Sequence, residues 1–102
     1  MEHRRIGKSA VYVSDICMGT MTFGSQTDEA QAHRILDRCL DAGINFFDTA
    51  NMYSMGVSEE VTGKLLKEFA SRDEVVIATK VYFPLGDKPN QGGLSRKHIM
   101  DS

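Results

Sequence analysis

The sequence predicts an α/β fold in which strands and helices alternate along the chain. Apolar segments of strand length alternate with segments whose apolar residues recur at helical spacing. The run Val75–Val81 is nearly all apolar or β-branched, which is typical of a strand buried on both faces of a parallel sheet. Strict alternation of this kind predicts βαβ connections and a parallel sheet, either open or closed into a barrel.

The N-terminal part of the chain predicts a hairpin followed by the first strand of that sheet. Ser9–Val13 and Asp15–Gly19 are strand-sized apolar segments separated by Ser14, and a charged stretch precedes them. We therefore expect a short leading hairpin and then a core strand that ends near Met18.

A change of period marks the first helix. Thr27 or Asp28 is the expected N-cap, and Gly43 is a typical stop after the C-terminal end. Between them, five apolar residues recur at helical spacing, namely Ala32, Ile35, Leu36, Cys39 and Leu40.

Two further β/α units follow in the same single domain, which covers residues 1–102. Ile44–Asp48 predicts the second core strand, and Ser95 is the expected cap of a third helix after a loop rich in Pro and Gly. Between these, Ser58 is the expected cap of the second helix. The apolar stripe of that second helix is expected to consist of Val61, Leu65 and Phe69.

Composition excludes several classes of function. With 41% hydrophobic and 25% charged residues, a net charge of -2 and a pI near 5.9, the chain is an ordinary globular protein without the basic field that binds nucleic acid. No apolar run reaches the length of a membrane span, and no secretory signal pattern follows Met1. We expect neither nucleic acid nor a membrane as a partner.

The cysteines indicate a reducing compartment. Cys17 and Cys39 lack any CxxC spacing and lie among apolar neighbours, so we expect two buried free thiols and a cytoplasmic location. No set of His, Cys and carboxylates has the spacing of metal ligands, and no metal site is expected.

Three polar residues are predicted to meet at the carboxyl edge of the sheet. Asp48 and Lys80 end two successive strands, and Tyr53 lies in the loop after Asp48. Considered singly, each has a structural explanation: a turn cap, a half-buried loop aromatic and a lysine at a strand end. Together they suit general-acid chemistry, because a phenol with a reference pKa of about 10 donates a proton poorly unless an ammonium stabilises its anion.

The motifs around these residues resemble those of the aldo-keto reductase family. Gly43–Gly56, which reads GINFFDTANMYSMG, resembles the family's signature, and Ile77–Val81 resembles its lysine strand. Gly19–Gly24, GTMTFG, is similar to its first βα loop, nearest to the bacterial and potassium-channel β-subunit-like branch.

The resemblance implies a (β/α)₈ TIM barrel with an N-terminal β-hairpin, of which this chain supplies about the first three β/α units. It implies hydride transfer between NADP(H) and a small-molecule carbonyl substrate, with Tyr53 as proton donor, Lys80 as its charged partner and Asp48 paired with Lys80. The same resemblance assigns cofactor binding to five positions, namely Gly19, Thr20, Met21, Gln26 and Asp48.

Other parts of the family's site have no counterpart in these residues. The family's catalytic His or Asn and its pocket for the 2′-phosphate would follow Ser102, and His3, His33 and His98 are expected to be surface or packing residues. Two alternatives to a reductase therefore stay open. One is a cofactor-binding redox sensor of the same fold, and the other is a short product with only a structural role.

Overall fold

The computed structural model describes all residues from Met1 to Ser102, as five short strands and three α-helices in alternating order. Two short 3₁₀ turns, Tyr53–Gly56 and Arg72–Glu74, lie before and after the second helix. The elements in chain order are β1 (His3–Arg5), β2 (Tyr12–Ser14), β3 (Cys17–Gly19), α1 (Glu29–Asp41), β4 (Phe46–Asp48), α2 (Val57–Phe69), β5 (Val76–Ala78) and α3 (Arg96–Asp101).

The core sheet is parallel, as predicted, with strand order β3-β4-β5. Gly19 pairs with Asp48, and Asp48 pairs with Ala78, so the three strands end at the same level. Three strands do not close into a barrel. The parallel α/β arrangement is thus confirmed, whereas closure is not seen within these residues.

The leading hairpin is present, but its strands differ from those expected. β2 is Tyr12–Ser14, and it pairs antiparallel with β1, which lies in the charged stretch that we did not assign to a strand. β1 is fully exposed, so no apolar pattern marks it. An ion pair between Arg4 Nε and Asp15 Oδ1 at 2.5 Å joins its charged side chains to the start of the sheet.

The first helix has the predicted ends. Asp28 is the N-cap and forms a capping box with Gln31, in which each side chain accepts a hydrogen bond from the other residue's backbone N–H. The helix ends at Asp41, and Gly43 takes the left-handed φ of 89° that turns the chain toward β4.

The predicted cap of the second helix is wrong. α2 begins at Val57, and the residue at its N-cap is Gly56, with a left-handed φ of 95°. Ser58 lies inside the first turn and is fully buried, with its hydroxyl turned into the core. The hydroxyl therefore serves a tertiary contact in place of a helix cap.

The helices α1 and α2 pack on one face of the sheet and bury its core. Phe47 alternates in direction with Phe46 and Asp48, so Phe47 faces the helices while its neighbours face the other side. Cys39 is buried in this core, as expected. The core cluster consists of Phe23, Ala32, Leu36, Cys39, Ile44, Phe47, Leu65, Leu66 and Val75.

The expectation of a buried Cys17 is wrong. Cys17 lies on the same face of β3 as Gly19, opposite the helices, and that face is not covered by these residues. β5 is half-buried instead of buried on both faces, because helices cover only one face of the sheet and the outer edge of β5 has no neighbouring strand. It is shorter than predicted, and Lys80 lies beyond its end.

The histidines occupy packing or surface positions, as expected. His33 packs edge-on against Phe69 with 4.6 Å between ring centroids, and His3 is exposed. His98 is buried in α3, whose N-cap is Ser95, as predicted. None of the helices has the length and apolar character needed to span a membrane.

We predict that Gly24→Ala destabilises the fold more than Gly7→Ala. Both glycines have left-handed φ values, but a Cβ on Gly24 would lie 2.5 Å from Val57 Cγ1, whereas a Cβ on Gly7 meets nothing within 4 Å. The backbone strain costs about 1–2 kcal/mol at each position, and the clash adds about 1–3 kcal/mol at Gly24. Urea unfolding measures the difference. Equal losses would show that the loop yields to the added methyl group.

Candidate active site

The three predicted catalytic side chains meet at the carboxyl edge of the sheet. Asp48 is the last residue of β4, Lys80 follows β5, and Tyr53 begins the turn that leads into α2. Two backbone hydrogen bonds continue the pairing past the strand ends, from Thr49 N to Ala78 O at 2.8 Å and from Asn51 N to Lys80 O at 3.1 Å. These bonds hold the two loops side by side.

Lys80 is the centre of this group of residues. Its Nζ donates to Asp48 Oδ2 at 2.7 Å and to the backbone oxygen of Thr49 at 2.9 Å. The phenolic oxygen of Tyr53 lies 3.4 Å from the same Nζ, and the Tyr53 ring centroid lies 5.1 Å away. An ammonium has three N–H donors, and here it has three oxygen partners.

The surroundings of Lys80 favour its charged form. The hydrogen bond to Asp48 raises the pKa of Lys80, partial burial opposes this, and the contact with Tyr53 adds to the rise. The side chain of Lys80 is 52% exposed, so the Asp48–Lys80 pair adds little to the stability of the fold. What the ion pair does is fix the position of a positive charge beside the Tyr53 hydroxyl.

A left-handed turn carries Tyr53 into the site. Its N–H donates to Ala50 O at 3.2 Å, and the next three residues, Ser54, Met55 and Gly56, all have positive φ values of 51°, 54° and 95°. Two successive non-glycine residues in this region are uncommon and strained, and such strain often occurs at functional sites. Only Gly56 signalled this turn in the sequence.

The predicted cofactor residues of the first loop are placed differently from one another. Gly19 lies level with Asp48 on the open face, and a Cβ there would meet nothing within 4 Å. Met21 and Gln26 are exposed, and neither forms a hydrogen bond with the trio of Asp48, Tyr53 and Lys80. Thr20 is fully buried, and its hydroxyl donates to Asp48 O at 2.9 Å, so its side chain faces the protein interior.

A mostly apolar cavity of about 170 Å³ lies beside Tyr53 and Lys80. Its walls include Met52, Tyr82 and Phe83, and the rings of Tyr82 and Phe83 pack edge-on with 5.3 Å between centroids. These three residues were not predicted as part of the site. Two aromatic residues directly after the lysine strand were the available signal, because the chain leaves that strand at the same edge.

No group of three His, Cys, Asp or Glu side chains is close enough to hold a metal ion. The polar groups that meet here are the phenol of Tyr53, the ammonium of Lys80 and the carboxylate of Asp48. This combination can donate a proton and stabilise the phenolate that remains.

Comparison with known proteins agrees with the resemblance seen in the motifs. Residues 15–102 match the model of the Aldo/keto reductase family. An uncharacterized oxidoreductase of Bacillus subtilis, YrpG, is 46% identical over an alignment of 116 positions, which covers 100% of this chain and 35% of the relative. A probable voltage-gated potassium channel subunit beta of Arabidopsis thaliana is 43% identical, over 99% of this chain and 31% of the relative.

A solved structure has a similar fold. The aldo-keto reductase AKR11C1 from Bacillus halodurans, in its holo form, has a TM-score of 0.72 and 40% sequence identity, covering 86% of this chain and 29% of that one. The chain thus spans about a third of the length of the relatives it matches. With a family match over most of its residues and these identities, the chain belongs to the aldo/keto reductase family.

Proposed function

We propose that this chain carries the proton-donating part of an NADPH-dependent aldo-keto reductase, which reduces small aldehydes or ketones to alcohols within a complete (β/α)₈ barrel. One observation supports this most directly: the Lys80 ammonium lies between the Asp48 carboxylate, at 2.7 Å, and the Tyr53 hydroxyl, at 3.4 Å. The open edge of β5 supports the barrel, since a further parallel strand can pair there.

Each member of the trio has a distinct role in the proposed reaction. Tyr53 donates its proton to the carbonyl oxygen as negative charge develops there, and Lys80 stabilises the phenolate that Tyr53 becomes. Asp48 holds Lys80 in place and in its charged form. The reverse reaction, oxidation of an alcohol, uses the same groups with Tyr53 as the base.

The residues around Asp48 fit a nicotinamide cofactor, which when bound supplies the hydride. Gly19 leaves the face of the sheet beside Asp48 open, and the exposed Met21 and Gln26 lie in the loop that follows β3. The holo form of the related Bacillus halodurans structure supports a bound cofactor. We propose Gly19, Met21, Gln26, Asp48 and, through its backbone, Thr20 as cofactor contacts. The choice of NADP(H) rests on the family resemblance.

The cavity beside Tyr53 indicates the kind of substrate. Its walls are mainly apolar, and Lys80 and Tyr53 contribute an ammonium and a hydroxyl to a lining that also includes the amide residue Asn51. A small-molecule carbonyl compound with an apolar substituent fits these surroundings. We propose no nucleic-acid or membrane partner.

A second function of the same fold is a cofactor-binding redox sensor with little turnover. The observation that favours it is the 41–46% identity to proteins named as probable or putative voltage-gated potassium channel β subunits, from Arabidopsis thaliana, Oryza sativa and Schizosaccharomyces pombe. The trio serves either function, because both require hydride transfer at a carbonyl.

The raised pKa of Lys80 gives the first prediction. Because the hydrogen bond to Asp48 is the main cause, Asp48→Asn is expected to lower the pKa of Lys80 toward its ordinary value of 10.5. A raised folded-state pKa means that this contribution to stability is present below pH 10.5 and is lost as the pH rises through the higher folded value. NMR titration of the lysine side chain measures the shift. An unchanged value in Asp48→Asn would remove Asp48 as the cause.

Tyr53→Phe tests proton donation. The change deletes one hydroxyl and keeps the ring, so single-turnover hydride transfer at saturating NADPH is expected to fall by about 10²–10⁴-fold, or roughly 3–5 kcal/mol in barrier. NADPH affinity is expected to stay within about threefold, because the hydroxyl faces the substrate.

Tyr82→Phe is the matched control for that experiment. Tyr82 lines the same cavity and is 57% exposed, but its hydroxyl forms no hydrogen bond. Its removal is expected to change the rate by less than about tenfold, with the melting temperature recorded for each variant. Equal rates in Tyr53→Phe and the wild type would exclude Tyr53 as the acid.

Steady-state NADPH oxidation with a panel of aldehydes and ketones distinguishes the two functions. A reductase is expected to turn over repeatedly, with kcat on the order of 1–10³ s⁻¹. A single slow turnover followed by a stable complex with the oxidised cofactor would favour the sensor.

A further inference from the structure

Three hydroxyl side chains lie together in the protein interior, beneath the partly exposed side chains of Asp48, Tyr53 and Lys80. Thr20, Thr49 and Ser58 are 0%, 2% and 0% exposed, and they come from the loop after β3, the loop after β4 and the first turn of α2. A buried hydroxyl is costly unless it has a hydrogen-bond partner. Because each hydroxyl has a single hydrogen to donate, the direction of each hydrogen bond can be worked out.

The three hydroxyl groups form a directed chain of hydrogen bonds. Ser58 Oγ donates its single hydrogen to the backbone oxygen of Thr20 at 2.6 Å, so in its 3.3 Å contact with Thr49 Oγ1 it is the acceptor. Thr20 Oγ1 donates to Asp48 O at 2.9 Å. Thr20 and Ser58 have then both donated their hydroxyl hydrogens to backbone oxygens, so no hydrogen is left for the 3.1 Å contact between Thr20 Oγ1 and Ser58 Oγ. Every hydroxyl hydrogen is thus used, and Ser58 is the link between the two threonines.

Both ends of this chain reach the segment that binds Lys80. At one end, Thr20 holds the backbone oxygen of Asp48 through its N–H, at 3.0 Å, and through its hydroxyl. At the other end is Thr49, whose backbone oxygen accepts a hydrogen bond from Lys80 Nζ at 2.9 Å. The carboxylate of Asp48 accepts the second hydrogen bond of that ammonium at 2.7 Å.

We infer that Ser58 is a positioning residue for the trio: its buried hydroxyl couples Thr49 to Thr20 and so holds the Asp48–Thr49 segment, which supplies two of the three oxygen partners of the Lys80 ammonium. Ser58 does not face the cavity beside Tyr53. Ser58 acts by fixing the location of the Lys80 ammonium. The effect of Ser58 on catalysis rests on the proposed function.

The same helix provides a matched control. Thr62 lies one turn after Ser58, is 2% exposed, and its hydroxyl is buried without a hydrogen-bond partner. Thr62→Val therefore removes a buried hydroxyl from α2 with little change in shape and without breaking a hydrogen bond. A general effect of altering this helix will show in both variants, whereas loss of positioning will show only in Ser58→Ala.

The test measures single-turnover hydride transfer at saturating NADPH in the whole protein. Ser58→Ala is expected to lower the rate by about tenfold, because small displacements of catalytic groups are costly, while NADPH affinity stays within about threefold. Thr62→Val is expected to leave both unchanged. Equal rates in Ser58→Ala and Thr62→Val would overturn the inference.

A double-mutant cycle separates positioning from a purely structural role. If Ser58 acts through Lys80, Ser58→Ala is expected to cause no further loss of rate in the Lys80→Met background. A full tenfold loss in that background would show that Ser58 acts independently of the ammonium, and the inference would fail. Thr49→Val, which removes only the donor to Ser58, is expected to give a smaller loss in the same direction, and it replaces Ser58→Ala if that variant does not fold.

A second measurement keeps the inference testable if the wild type shows no turnover, which would contradict the proposed function alone. The N–H of Thr20 donates to Asp48 O, so its hydrogen exchange reports on the held segment. Ser58→Ala and Thr49→Val are expected to speed this exchange by about tenfold or more relative to Thr62→Val. Equal exchange in all three variants would show that Ser58 does not hold the segment.

Discussion

The site depends on the hydrogen bonds by which one ammonium, Lys80 Nζ, joins two neighbouring strand ends. It binds the carboxylate of Asp48 and the carbonyl of Thr49, and so connects the end of β5 to the end of β4 through side-chain and backbone oxygens. Because the lysine is half exposed, the ion pair itself contributes little to folding. What it provides is a charge of defined position beside the phenol of Tyr53, as the proton transfer that we propose requires.

That position follows from the register of the parallel sheet. Gly19, Asp48 and Ala78 are paired in one row, so the chains that leave the three strands start from one level. The middle strand supplies the large carboxylate, and its two neighbours in the row are small. The open face beside Asp48 is therefore a consequence of residue size at one level of the sheet. A larger side chain at Gly19 would occupy the space in which we propose that the cofactor lies.

The alternation of elements, the ends of α1, the start of α3 and the trio were predictable because each depends on local chemistry or on a short motif. The errors arose where tertiary contacts outweigh local preference. Ser58 has the residue type of a cap, yet the left-handed Gly56 takes that position and the serine hydroxyl turns inward. Exposure of Cys17 was not predictable from its apolar neighbours, since it depends on which face of the sheet is covered. The strand β1 has no apolar pattern at all.

The polar groups of the site form two layers. The side chains of the trio are partly exposed, whereas the hydroxyl groups of Thr20, Thr49 and Ser58 are buried. A proton donor must reach its substrate, so the role that we propose requires Tyr53 and Lys80 to remain partly exposed, where long side chains are mobile and screened by water. Buried hydrogen bonds do not face that competition, because breaking one leaves a polar group without a partner. We therefore infer that the rigid part of the site is the buried layer of hydroxyl groups, one layer deeper than the three side chains of the proposed chemistry. The hydroxyl of Ser58 belongs to that layer, which is why we expect its removal to matter although Ser58 does not line the cavity beside Tyr53.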